Sequence, residues 1–200
     1  MGDGFGGGAI FNRASPSSHK SCVDRIIAGY LRPGQPARIL DVGGTDRGFR
    51  RRATLPPKSR VVIANPEVGV GADYDYVHLI PPKEGNFDLA MIFGVMMYME
   101  RDSLLTLLRN VRQRLRGGGI LLVAEPDPKS VSGYFDAGLK KIGHSVLNTR
   151  KFIFYSKADT TALLLEAGFG ETRERDDLRP SLVLPPYYVI AAKNGESGRR

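Results

Sequence analysis

Four short apolar runs limit what this chain can fold into. They are "ARILDV" (residues 37–42), "RVVIAN" (60–65), "FDLAMIF" (87–93) and "GILLVAE" (119–125). Short continuous runs of this kind predict strands covered on both faces of a parallel sheet. The segments around them read as helices. "RDSLLTLLRNVRQRLR" (101–116) puts Leu104, Leu105, Leu108, Val111 and Leu115 on one face. Asp102 or Ser103 can cap it, and the triplet Gly117, Gly118, Gly119 stops it. "KADTTALLLEAG" (157–168) is a shorter helix ending at Gly168. "SPSSHKSCVDRIIAGYLRPG" (15–34) precedes the first strand, with Cys22, Ile26 and Tyr30 recurring every four residues and Pro33 and Gly34 closing it.

A weaker strand is expected near residues 74–78. Two further strand-like runs, "FGETRERDD" and "PPYYVIAAKN", end the chain and can form a closing hairpin. The pattern predicts an α/β fold: a doubly wound, mostly parallel, seven-stranded Rossmann-like sheet with an antiparallel C-terminal hairpin strand. Residues 1–16 are rich in Gly and Ser and read as a flexible segment, 17–194 as a single domain, and 195–200 as a flexible tail.

Composition narrows the function classes. The chain of 200 residues, 42% apolar, suffices for one substantial core. Its one cysteine, Cys22, excludes an internal disulfide framework and a Cys-rich zinc site; no metal centre is expected. No apolar run approaches the ~20 residues that span a bilayer. The first residues lack the basic and apolar parts of a signal peptide, so a cytoplasmic location is expected. The net charge of +8 includes "RGFRRR" (47–52) and "RNVRQRLR" (109–116). Arg109, Arg112 and Arg116 share one side of a helix, either as a solvated face or as a footprint for phosphates. No aromatic residue is interleaved and the chain has no tryptophan, so nucleic acid is not the expected partner.

In open parallel sheets, ligands bind beyond the carboxyl ends of the strands. The first run ends in Asp41, Val42, Gly43, Gly44, Thr45 and Asp46. Glycine there lets main chain approach a ligand closely. The spacing is G-G-x-x-x-G, not the G-x-G-x-x-G of a dinucleotide loop, which argues against a nicotinamide-dependent oxidoreductase. The second run ends in Asn65, Pro66 and Glu67, where an acid commonly takes ribose hydroxyls. Next come "ADYDYVHL" (72–79), "FGVMMYM" (93–99) and "EPDPKS" (125–130).

Taken in order, these pieces resemble a class I S-adenosylmethionine-dependent methyltransferase. That family's first motif alternates glycines after an acid. Asp41 and Gly43 match it, and Gly44 matches loosely. Thr45 and Arg47 stand where glycines are common, and Gly48 follows one place late. Asn65 holds the position of the family's ribose-binding acid. "EGNFDLAMIFGVMMYM" (84–99), "LLRNVRQRLRGGGILLVAEPDP" (107–128) and "SKADTTALLLEAGF" (156–169) are similar to three later family segments. The resemblance covers roughly residues 37–193. Its force lies in the ordered set, since no single motif is specific.

The resemblance implies S-adenosylmethionine as cofactor and a small-molecule or glycan acceptor, methylated on oxygen or nitrogen. Gly43, Gly44 and Thr45 would form the loop at the cofactor's methionine part, and Asp41 would hold its amino group. Asn65 and Pro66 would meet the ribose, Asp75 or His78 the adenine, and Phe93 and Gly94 the floor. Tyr98, Tyr134 and His144 are candidate general bases, and Glu125 and Asp127 could orient the acceptor. Met96, Met97 and Met99 read as packing. No [ND]-P-P-[FY] follows the third run, which disfavours methylation of a base's exocyclic amino group. A fold of this type that has lost catalysis and serves as a binding or regulatory protein is the alternative.

Overall fold

The computed structural model describes residues 29–50, 55–128, 153–175 and 187–195. Each of the four apolar runs forms a strand: β1 is Arg38–Val42, β2 Arg60–Ala64, β3 Phe87–Phe93 and β4 Leu115–Pro126. The closing hairpin supplies β5, Glu171–Glu174, and β6, Tyr187–Lys193. They make one six-stranded sheet in the order β2-β1-β3-β4-β6-β5. β2, β1, β3 and β4 are mutually parallel, and β6 runs antiparallel between β4 and β5.

The expected seventh strand does not form among the described residues. It is reduced to a single parallel bridge between Ala64 and Tyr74. Asp73 supplies the reason. Its Oδ2 accepts from the Ile63 N–H at 2.8 Å. The Ile63 carbonyl accepts from the N–H groups of Asp73 and Tyr74 at 2.9 and 3.1 Å. A side chain thus takes the place of a neighbouring strand's carbonyl on the edge of β2. The chain then turns into a short 3-10 segment, Val77–Leu79, instead of extending.

Two helices lie on one face of the sheet. α1, Arg101–Arg114, and α2, Lys157–Glu166, pack with Leu40, Val62, Ala90, Ile92, Leu121 and Ile190. Leu104 and Leu108 of α1 are fully buried, and each contributes about 2 kcal/mol of apolar burial. The opposite face, with Ile39, Ile63, Leu89, Met91 and Leu122, packs against Tyr30, Leu31 and Leu55. The helical residues described on that side include 29 and 30, the end of the expected first helix, and a five-residue helical turn, Asp46–Arg50, broken at Gly48, follows β1. Helical cover on both faces, as a doubly wound sheet would have, is therefore not seen among the described residues. Cys22, residues 1–16 and residues 196–200 lie outside them.

Two helix ends differ from expectation. α1 is preceded by Glu100 at the N-cap, with no side-chain cap bond, and Asp102 falls in its first turn. Its carboxylate still suits the positive end of the helix dipole there. The chain also leaves α1 earlier than the glycine triplet suggests. Leu115 already pairs with Phe87, and the register slips before Leu89 meets Ile120. The glycines lie inside this irregular start of β4. A Cβ on Gly119 would come 2.9 Å from the Phe87 carbonyl oxygen. α2 begins with a reciprocal capping box, in which Ser156 Oγ accepts from the Asp159 N–H at 3.2 Å and the Ser156 N–H donates to Asp159 Oδ2 at 3.0 Å.

Candidate functional site

The strand order puts the divergence point of the sheet between β1 and β3. From β1 the chain crosses to β2 on one side, and later reaches β3 on the other. Connections diverge at such a point and leave room above the carboxyl ends of the strands. Gly43 directly follows β1, and Gly94 directly follows β3.

Glycine is required at both positions of the first loop, for different reasons. Gly43 has φ +76°, and a Cβ there would come 2.4 Å from Val95 Cγ2. Its N–H donates to the Ala64 carbonyl at 2.8 Å, tying the loop to the end of β2. A Cβ on Gly44 would come 2.0 Å from Asp41 Oδ2. The carboxylate of Asp41, a residue 7% exposed, therefore lies against the main chain of the loop it precedes. Thr45 is half-buried and its carbonyl accepts from the Gly48 N–H at 2.8 Å, while Arg47 is exposed. The arginine in the loop thus adds no bulk beneath it.

Asn65 closes the other wall. It is 7% exposed and follows β2 directly. Its Nδ2 donates to the Gly44 carbonyl at 2.9 Å, and its Oδ1 accepts from the Glu67 N–H at 2.9 Å. The amide therefore joins the glycine loop to the turn after β2, and it presents the second lone pair of Oδ1 as a remaining acceptor. Pro66 and Glu67 are exposed beyond it.

β3 runs into the 3-10 turn Met96–Tyr98. Met96 and Met97 are buried, as packing residues should be. Tyr98 is 52% exposed at the top of this turn. Glu125, 2% exposed near the end of β4, accepts the N–H groups of Val95 and Met96 at 2.8 Å each through Oε1. An acceptor-orienting carboxylate was expected at this position. Its Oε1 is engaged with the main chain of the turn.

Placement of the remaining candidates is uneven. Phe93 and Gly94 stand at the crevice, and the nearest atom to a Cβ on Gly94 would be Tyr187 Oη at 4.0 Å. Asp75, exposed, follows the Tyr74 bridge to Ala64 and so stays near the ends of the strands. His78 does not. Its ring stacks on Tyr76 at 5.5 Å, and its carbonyl faces Arg114 Nη2 at 3.4 Å. Arg114 ends α1, which feeds the start of β4, so His78 lies toward the opposite end of the sheet. Tyr134 and His144 lie outside the described residues. Val95 and Tyr187 were not expected at the site. Val95 could have been suspected as the residue after a strand-end glycine, whereas Tyr187 reaches Gly94 only because β6 pairs beside β4.

Two tyrosines behind the turn are held as neutral donors. Tyr188 shares a 2.6 Å bond with Thr160 Oγ1 and donates to the Tyr155 carbonyl at 3.1 Å. Burial pushes its hydroxyl well above its ordinary 10.0. Burial, with the nearby Glu100 carboxylate, also raises Tyr155, which donates to the Met99 carbonyl at 2.9 Å. Neither serves as a base near neutrality.

The residues present fit the cofactor that the sequence implies. A buried carboxylate and a buried amide converge on the loop, and their oxygens are acceptors suited to an ammonium and to ribose hydroxyls. Main chain at Gly94 is open to close approach. Among the described residues no group of His, Cys, Asp and Glu could hold a metal, and no helix is long and apolar enough to cross a membrane.

No protein-family model and no curated protein sequence matches the chain. Solved structures do. The S-adenosylmethionine-dependent methyltransferase SibL in its apo form superposes with a TM-score of 0.61 at 19% identity, over 81% of this chain and 51% of SibL. A SAM-dependent methyltransferase from Thermotoga maritima superposes at 0.60 and 19% identity, over 88% and 89% of the two chains. Magnesium protoporphyrin IX methyltransferase from Synechocystis, solved with bound SAH, gives 0.58 at 15% identity, over 88% and 84%. The chain spans about half the length of SibL (51%) and of the CurJ carbon methyltransferase (54%). At these identities the likeness is one of architecture: the chain has the fold of the class I S-adenosylmethionine-dependent methyltransferases.

Proposed function

We propose that this chain catalyses S-adenosylmethionine-dependent methyl transfer to a small-molecule or glycan acceptor, on oxygen or nitrogen. One observation carries the reading. A buried acid, Asp41, and a buried amide, Asn65, close on the same glycine loop at the divergence point of the sheet. Buried polar side chains are costly unless paired, and their concentration on a strand-end loop is a signature of binding.

In this reading Asp41 holds the ammonium of the cofactor's methionine part. Asn65, with Glu67 beside it, receives the ribose hydroxyls, and Asp75 bounds the adenine. Gly43, Gly44 and Thr45 form the loop, Pro66 its rim, and Phe93 and Gly94 the floor. The cofactor, when bound, supplies a methyl group already activated by a positive sulfur. The protein's task is then alignment and exclusion of water. Tyr98, at the exposed top of its turn, is a candidate to take the acceptor's proton, together with Tyr134 and His144.

Titration calorimetry with S-adenosylmethionine and S-adenosylhomocysteine tests the reading. Saturable binding of both is expected, and binding should weaken in Asp41→Ala. No heat at millimolar ligand would overturn it. Mass spectrometry of a library of phenols, amines and sugars incubated with the cofactor then seeks the acceptor by a one-methyl mass increase.

A second reading is supported by the same loop. Val95 packs into the space that a Cβ on Gly43 would take, and Asn65 spends both ends of its amide on main chain. A crevice so occupied by its own chain suits a binding or regulatory protein without turnover. That reading expects weak cofactor affinity and a partner protein that co-purifies.

A further inference from the structure

We propose that Glu125 is a positioning residue: through the Met96–Tyr98 turn it sets the wall that confines the glycine loop. The proposal rests on the cofactor-binding reading and goes beyond it. Glu125 is 2% exposed on β4, a strand separated from β1 by β3. Its Oε1 receives two main-chain N–H groups, those of Val95 and Met96, each at 2.8 Å. Two main-chain donors converging on one buried oxygen fix the direction in which the chain leaves β3. That direction sends Val95 Cγ2 against Gly43, 2.4 Å from where a Cβ would stand.

The turn is braced on its far side too. The Ile153 N–H donates to the Met97 carbonyl at 2.9 Å, and Tyr155 Oη donates to the Met99 carbonyl at 2.9 Å. The chain of contact therefore runs from Glu125 to Val95 and Met96, then to Gly43, and separately to residues 153–155 ahead of α2. Precise placement of a binding loop depends on such support from behind. A buried carboxylate used in this way ties cofactor affinity to a residue that need not touch the cofactor.

Hydrogen exchange on the unliganded protein and calorimetry with S-adenosylhomocysteine test the proposal together. Glu125→Ala leaves two N–H groups without their acceptor. It is expected to speed exchange at Val95, Met96 and Gly43, and to weaken binding about tenfold. Glu125→Gln keeps an acceptor oxygen and is expected to stay within about threefold of the unmodified protein. Unchanged exchange and affinity in Glu125→Ala would overturn the proposal, and so would a Gln variant as weak as the Ala variant. Should Glu125→Ala fail to fold, Val95→Ala decides: faster exchange at Gly43 with weaker binding supports the wall, and no change overturns it. If the unmodified protein binds no S-adenosylhomocysteine, the functional reading fails, and the exchange data alone judge the role of Glu125.

Discussion

At the amino end of the parallel strands, side chains bind distant segments to one another; at the carboxyl end, they hold glycine-rich main chain open to a crevice. Asp88, at the start of β3, shows the first habit. Its Oδ2 accepts from the Arg38 N–H at 2.9 Å, and its Oδ1 accepts from Arg116 Nε at 2.6 Å. Arg38 Nη2 donates to the Glu84 carbonyl at 2.8 Å, and Arg60 pairs with the Glu84 carboxylate at 2.8 Å. Asn194 Nδ2 faces the carbonyls of Arg112, Leu115 and Arg116 at 3.1–3.2 Å, where α1 passes into β4. A cavity of about 280 Å³ at this end is bordered by Tyr30, Arg32, Asp88 and Arg116. At the other end, Asp41, Asn65 and Glu125 contact loops that directly follow strands. One sheet thus separates the groups that stabilise it from the groups that shape a site.

This division can be broken by substitution. The largest effect is expected from Gly44→Ala, whose methyl would meet the buried Asp41 carboxylate at 2.0 Å. Loss of about 3 kcal/mol in urea denaturation is expected, and S-adenosylhomocysteine binding should fall below detection in calorimetry. Retained binding would show that the loop can bend around a side chain. Next is Asn194→Ala at the amino end. It should cost about 2 kcal/mol of stability by removing a buried donor from helix-end carbonyls. Its cofactor affinity should stay within about twofold of the unmodified protein. A loss of affinity there would unite the two ends.

Asp88→Ala comes third, at about 1 kcal/mol in the same denaturation experiment, because Arg116 is 44% exposed and its pairing is screened. The last comparison is one of slope, not of size: Tyr188→Phe loses two hydrogen bonds at every pH, but its titration acts only in the alkaline range. The folded protein holds the Tyr188 proton more tightly than the unfolded chain, whose tyrosine titrates near 10.0. Above that pH the unfolded state loses the proton and is favoured, so stability falls as pH rises. In Tyr188→Phe the decline above pH 10 should be shallower, as read from melting temperatures across the alkaline range. An identical slope would show that the fold does not hold that proton.

How far the sequence was readable depends on how local the cause was. The strand runs and the glycine loop announce themselves because burial on two faces and close main-chain approach each act within a few residues. The start of β4 was read late, at Gly119. Three glycines look like a stop, yet Leu115 finds Phe87 across the sheet before them. The strand expected near residues 74–78 fails for a similar reason. Only the fold shows that the Asp73 side chain satisfies β2 and lets the chain turn away. His78 stands three residues from Asp75 in sequence, but a 3-10 turn carries it to Arg114. Glu125 is conspicuous as an acid at a strand end, though its partners, thirty residues back, are not.

Periodicity, glycine placement and the order of the runs were enough, without coordinates, to specify a mostly parallel α/β sheet with an antiparallel closing hairpin and a loop at residues 41–45. Those properties follow from backbone conformation and from which faces are apolar, both written residue by residue. Tertiary structure alone decided which strand-end groups face a crevice and which are spent on main chain. Val95 against Gly43, Tyr187 beside Gly94 and the carboxylate of Glu125 beneath a turn are contacts between strands that pair only after the chain has crossed the sheet. Such contacts depend on register and crossover, which no stretch of sequence encodes by itself.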